Sequence, residues 1–206
     1  MSLQTWPCVG DAVASDPDGI RLSGEFAIRF RDAAIESLGI RPLRPEGAEI
    51  ARKRLRAFDA MPQAEVKDPF SCRIRNALDA WAKAPSDRDL RELVGLGAGS
   101  TPAGDDVLVG ILAGLRAFGR PEGLGLSLSD TATATAPPTT IGSIQMLCAA
   151  IDGAFPESLC DLVAILGAPE AKETAVGQAV SDLLSLGSTS GEWMLAGLSA
   201  VATSAR

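Results

Sequence analysis

The chain has 206 residues, of which 46% are apolar and 22% charged, a composition that supports an ordinary buried core and argues against disorder. It contains no histidine, which excludes Ser-His-Asp and Cys-His nucleophile systems, HExxH zinc sites and any imidazole proton shuttle. That absence leaves chemistry to carboxylates, hydroxyls, backbone N–H groups, Lys/Arg or a partner's residues, and a formal net charge of −7 argues against a dedicated nucleic-acid binder.

The first forty residues read as short β structure. Asp16-Pro17-Asp18-Gly19 is a turn sequence, and Ile20–Leu22 and Phe26–Phe30 alternate apolar with polar or small residues. Pro42 and Pro45 mark a connection. A helix is expected from Gly47 to about Ala60, with Ile50, Ala51, Leu55 and Phe58 on its apolar side. The basic cluster Arg52, Lys53, Arg54 and Arg56 reads as a solvated face of that helix, with anion binding as the alternative. A second helix follows Pro69 and uses Ile74, Ala77, Leu78 and Trp81. Ser86 and Asp89 form a capping pair for a short helix ending near Val94.

The character changes at Gly95. Residues 96–206 carry only 4 basic and 11 acidic side chains and are rich in Ala, Gly and Leu, which suits closely packed helices and an interface with another subunit. A glycine-rich loop, residues 95–104, leads into Asp105-Asp106 and a helical run over Val107–Phe118. Residues 121–140 read as a polar linker. Helices are expected at about 142–152, 156–166 and 170–186, with Pro156 and Pro169 near the starts of the last two, and finally from about Gly191 to Thr203.

The four cysteines show no CxxC pairing; Cys148 and Cys160 are expected to act as small buried hydrophobes. No signal peptide is visible, and the longest uncharged apolar run, Val107 to Leu115, is too short to span a bilayer. The expected protein is cytoplasmic and binds neither nucleic acid nor membrane. The expected fold is α+β and a single domain over 1–206, with a small N-terminal antiparallel β element at 1–40 and a predominantly helical body from about 40 to 206.

Two loops could carry chemistry. The first contains Gly97, Gly99, Ser100, Thr101, Pro102 and Gly104 before Asp105, and the second contains Gly187, Ser188, Thr189, Ser190 and Gly191 before Glu192. Each is glycine, hydroxyl residues, glycine and carboxylate, followed by a helix that itself contains glycine, through duplication or convergence. A helix N-terminus presents unpaired N–H groups and about half a unit of positive charge, glycines allow close approach, and hydroxyls add donors. Such loops suit phosphate or carboxylate. The Walker lysine is absent, which disfavours an ordinary nucleotide P-loop. The hydroxyl residues are also good helix caps, and Asp105 and Asp106 can simply stabilise a helix dipole. Alternatively, the two carboxylates hold Mg²⁺ or orient a substrate amide, although consecutive helical residues diverge by about 100°. Gly110, Gly114 and Gly197 read as close helix-packing positions rather than ligand contacts.

The stretch from Leu93 to Leu112 resembles the signature of a bacterial family once described only as a domain of unknown function. That family includes the accessory subunit of the oxamate carbamoyltransferase of allantoin degradation, and its signature is a Gly-Pro-Gly-Leu-Thr-Pro-Ser-Gly-Asp-Asp-Phe loop and helix. Thr139-Thr140-Ile141, Ala149-Ala150 with Gly153, Gly187–Gly191 and Met194–Leu198 extend the likeness over about residues 70–205. Ala98 and Ser100 replace the family's Pro and Leu, and Ser188 stands where histidine is common. The resemblance implies a subunit of a multi-subunit transferase that interconverts oxalurate plus phosphate with oxamate plus carbamoyl phosphate. On that reading Asp105, Asp106 and Thr101 are catalytic, the other loop residues bind a small anionic substrate, and the partners are further subunits or copies of the chain. A non-catalytic interaction subunit and a stand-alone organic-acid or nucleotide module remain the alternatives.

Overall fold

The structure, a computed structural model, describes residues 13–16, 19–22, 26–29, 38–58, 69–120 and 139–204. The chain divides into two units, residues 1–37 and 38–206. In the first, β1 (Val13–Asp16), β2 (Gly19–Leu22) and β3 (Phe26–Arg29) pair antiparallel in that order, with Ser15 opposite Ile20 and Ile20 opposite Ile28.

The second unit is helical, and the chain as described is mostly helix. Eight helices occur among the described residues: α1 (Pro45–Ala57), α2 (Pro69–Lys83), α3 (Asp87–Arg91), α4 (Ala103–Ala117), α5 (Ile141–Asp152), α6 (Glu157–Leu166), α7 (Glu173–Leu184) and α8 (Ser190–Thr203). Local chemistry sets several of their ends. Pro45 opens α1, where a missing N–H costs nothing. The Ser86 hydroxyl accepts from the Asp89 N–H and donates to the Asp89 carboxylate, which starts α3 as its spacing implies. Thr140 caps α5 by accepting from the Ser143 N–H, and Gly153, with φ of 94°, ends it in the left-handed conformation. Residues 59–60 of the first expected helix and residues 121–138 of the expected linker lie outside the described residues.

The helices α4 and α8 are apolar nearly all round, and that places them at the centre. The remaining helices pack against this pair or against one another. Glycine sets how closely α4 and α8 approach. A Cβ on Gly110 would lie 2.0 Å from the Met194 carbonyl oxygen, and one on Gly197 would lie 2.2 Å from the Val107 carbonyl oxygen. The two contacts are the same contact with the helices exchanged, because Gly110–Gly197 and Val107–Met194 share one sequence offset. Gly114 and Val201, separated by that offset as well, face each other, and a Cβ on Gly114 would lie 2.8 Å from the Val201 side chain. These glycines are packing positions, as their setting in apolar helices implies.

The two central helices run in the same direction. Their starts meet through Thr101 and Ser190, and their ends are tied where Arg120 donates to the Ser204 hydroxyl at 3.0 Å. Two helix N-termini, each with a partial positive charge of about half a unit, therefore lie side by side.

The basic cluster on α1 is not a uniformly solvated face. Arg54 turns inward and donates to the Ile165, Leu166, Ala168 and Ala171 carbonyls at 2.6–3.1 Å, closing the C-terminal end of α6. Arg52 lies 4.7 Å from the centre of the Phe118 ring. Cys148 and Cys160 are half-buried rather than buried, and the Cys160 thiol donates to the Leu38 carbonyl at 3.2 Å. Among the described residues, no helix is long and apolar enough to cross a membrane.

Candidate functional site

The first glycine loop folds back on the start of α4. Gly95, Gly97 and Gly99 all take positive φ (71°, 129° and 99°), which other residues adopt only with strain. Gly97 is also hemmed in, since a Cβ there would lie 2.7 Å from the Ala103 nitrogen, whereas Gly99 is open. The Gly104 N–H donates to the Leu96 carbonyl at 2.8 Å, and a Cβ on Gly104 would collide with the Leu93 carbonyl. Buried Pro102 precedes α4, and its carbonyl accepts from both the Asp105 and Asp106 N–H groups.

The second loop is built alike but shorter. Gly187 has φ of 64°, the Gly191 N–H donates to the Leu186 carbonyl at 3.1 Å, and a Cβ on Gly191 would lie 1.8 Å from the Leu183 carbonyl oxygen. Gly104 and Gly191 therefore let each helix start pass directly over preceding backbone. Ser188 and Thr189 are exposed, as is Ser100.

The hydroxyl residues do not cap their helices. Neither Pro102 before α4 nor Thr189 before α8 makes a side-chain capping bond. Instead Thr101 and Ser190 share a hydrogen bond at 3.2 Å, which brings the two loops together.

The adjacent carboxylates part company, as consecutive helical residues must. Asp105 is fully buried and engaged: Oδ1 accepts from the Gly95 N–H at 2.8 Å, and Oδ2 accepts from the Thr139 hydroxyl. Asp106 is only 1% exposed, and neither of its oxygens has a hydrogen-bond partner. Burial pushes its carboxyl up from 3.8 to about 7. The Ser190 hydroxyl is close enough to favour the ionised form without closing a hydrogen bond of ordinary geometry, and the charge of Asp105 adds a smaller upward push. Ser190 thus stands beside both Thr101 and Asp106.

Each Asp105 oxygen accepts a hydrogen bond from a protein donor, and the two side chains diverge along the helix, so nothing in this arrangement favours a joint Mg²⁺ site at Asp105 and Asp106. Among the described residues, no group of three or more His, Cys, Asp or Glu side chains is placed to hold a metal ion.

Thr139 and Thr140 were expected to end a polar linker. They contact Asp105 and the first glycine loop. Thr140 donates to the Ser100 carbonyl at 2.6 Å while capping α5, and Thr139 holds Asp105. Thr140 immediately before the apolar run that opens at Ile141 is a readable helix-start signal; what no local pattern shows is that this helix starts against the first glycine loop.

A family model described as oxamate carbamoyltransferase subunit AllH matches residues 93–202, just over half of the chain and including both loops. No curated protein matches the chain, and no solved structure does.

Proposed function

The chain belongs to the AllH family of oxamate carbamoyltransferase subunits, and from that premise we propose that it binds a small anionic substrate where the starts of α4 and α8 meet. Being a subunit implies protein partners. The observation that carries the reading is the Thr101–Ser190 hydrogen bond set beside a buried carboxyl with no partner. Two parallel helix N-termini favour an anion there. In the free chain the two hydroxyls satisfy each other; an entering phosphate or carboxylate oxygen takes donors from both.

The reaction of the family also needs a group that handles a proton. A phosphate oxygen attacks the carbamoyl carbon of oxalurate, the C–N bond breaks, and the departing oxamate nitrogen takes up a proton. Asp106, held near neutral pKa by burial, exists in both protonation states around pH 7. It gives the proton in this direction and takes it back in the other. Thr101 and Ser190 hold substrate oxygens, and the open backbone at Gly99 admits the anion, with Gly97, Ser100 and Pro102 shaping that side and Gly187, Ser188 and Thr189 the other. Gly104 and Gly191 serve by letting the helix starts come close.

Calorimetric titration with phosphate, oxamate and carbamoyl phosphate tests this. The natural sequence binds at least one of them, and Thr101→Val with Ser190→Ala lowers that affinity by about tenfold or more, the loss of one or two hydrogen bonds to a charged group. Equal affinity in the folded double variant contradicts the proposal.

A further inference from the structure

Two carboxylates next to each other at a helix start create a problem of assignment: a small anion tolerates one proton-bearing carboxyl, but two ionised ones repel it. The structure separates them through residues beyond both loops. Asp105 is engaged by the Gly95 N–H and the Thr139 hydroxyl, whereas Asp106 has no partner at either oxygen. Thr139 approaches from the start of α5, where Thr140 is also fixed by donating to Ser100 and accepting from Ser143. The start of α5 is thus fastened at two successive residues, Thr140 to the backbone of the first glycine loop and Thr139 to a carboxylate in the first turn of α4.

We infer that Thr139 is a positioning residue: its hydroxyl holds Asp105 within the protein and leaves Asp106 as the carboxyl that meets the substrate. Thr140 does the companion task of fixing the Ser100 carbonyl, so that the loop N–H groups keep one orientation. The inference rests on the proposed anion site for its purpose but not for its geometry. The groups acting on Asp106 are Asp105 on its own helix and the Ser190 hydroxyl from α8. Freeing Asp105 lets its side chain move relative to Asp106, and the Asp106 carboxyl registers that movement.

The test is a titration of the Asp106 side-chain carboxyl by ¹³C NMR in the ligand-free full chain, for the natural sequence, Thr139→Val and Thr139→Ser. The midpoint moves by half a pH unit or more in Thr139→Val and returns in Thr139→Ser. A purely structural role lowers the melting temperature and leaves the midpoint in place, and one midpoint shared by all three folded proteins overturns the inference. If Thr139→Val does not fold, the natural protein still decides. A slowly exchanging Thr139 hydroxyl proton correlated with the Asp105 carboxylate supports the inference, and a hydroxyl proton exchanging freely with water overturns it. Adding phosphate and oxamate to the same samples separates the two ideas: no binding by the natural protein contradicts the proposed function, and the Asp106 midpoint decides on Thr139 either way.

Discussion

Thr101 and Ser190, 89 residues apart along the chain, stand within one hydrogen bond of each other, with 3.2 Å between their hydroxyl oxygens. The central helices produce this meeting. Because α4 and α8 run in the same direction and touch through glycine, their first turns come side by side, and the loops before them share one location. The packing of the core therefore sets where the two loops meet.

Asp106 makes stability depend on pH. Its carboxyl titrates near 3.8 in the unfolded chain and near 7 in the folded one. Between those values the folded protein holds a proton that the unfolded chain has released, so stability falls as pH rises from about 4 to about 7 and is level beyond. The contribution of this group is on the order of 4 kcal/mol across that window. Urea unfolding of the natural sequence and Asp106→Asn at several pH values checks it. The variant loses this slope and gains stability relative to the natural chain at pH 8; an unchanged slope contradicts the assignment.

Glycine to alanine changes should have opposite signs at two kinds of position. At Gly110 and Gly197 the new methyl meets backbone carbonyls at 2.0 and 2.2 Å, neighbours that cannot swing away. Each change is expected to cost about 1–3 kcal/mol despite alanine's better helix propensity. Gly177 in α7 is exposed with nothing near its Cβ position, so Gly177→Ala is expected to stabilise by about 0.5–1 kcal/mol. Denaturant midpoints of the three variants decide both signs.

Arg54 should be hard to replace. Its guanidinium satisfies four carbonyls at the end of α6 and beyond, which a lysine ammonium cannot match in reach or geometry. Arg54→Met is expected to cost about 2–3 kcal/mol and to raise hydrogen exchange at the last turn of α6. Arg54→Lys should recover only part of the loss.

The helices were largely legible because apolar spacing, prolines and capping residues are local signals. The run after Pro69 and the Ser86 cap are examples, and the packing role of Gly110, Gly114 and Gly197 followed from glycine in wholly apolar helices. The strand Val13–Asp16 falls inside the expected N-terminal β element but was not singled out there, since its four residues carry no clear alternation. Two readings of the site failed for one reason. The loop hydroxyls look like caps, and Thr139–Thr140 looks like the end of a linker, because each finds its partner far away in sequence. Arg54 is similar: its four acceptors lie more than 110 positions away. The separation of Asp105 from Asp106 was readable from helical geometry, but which carboxylate would be held and which left free was not.

The most direct measurement is a crystal structure of the protein soaked with tungstate, a phosphate analogue with a strong anomalous signal, with phosphate competition as the control. The account predicts an anomalous peak for a tungstate whose oxygens lie within hydrogen-bond distance of both the Thr101 and Ser190 hydroxyls and next to Asp106, abolished by excess phosphate. A peak elsewhere, or none at this position while both loops keep their Thr101–Ser190 contact, would contradict it.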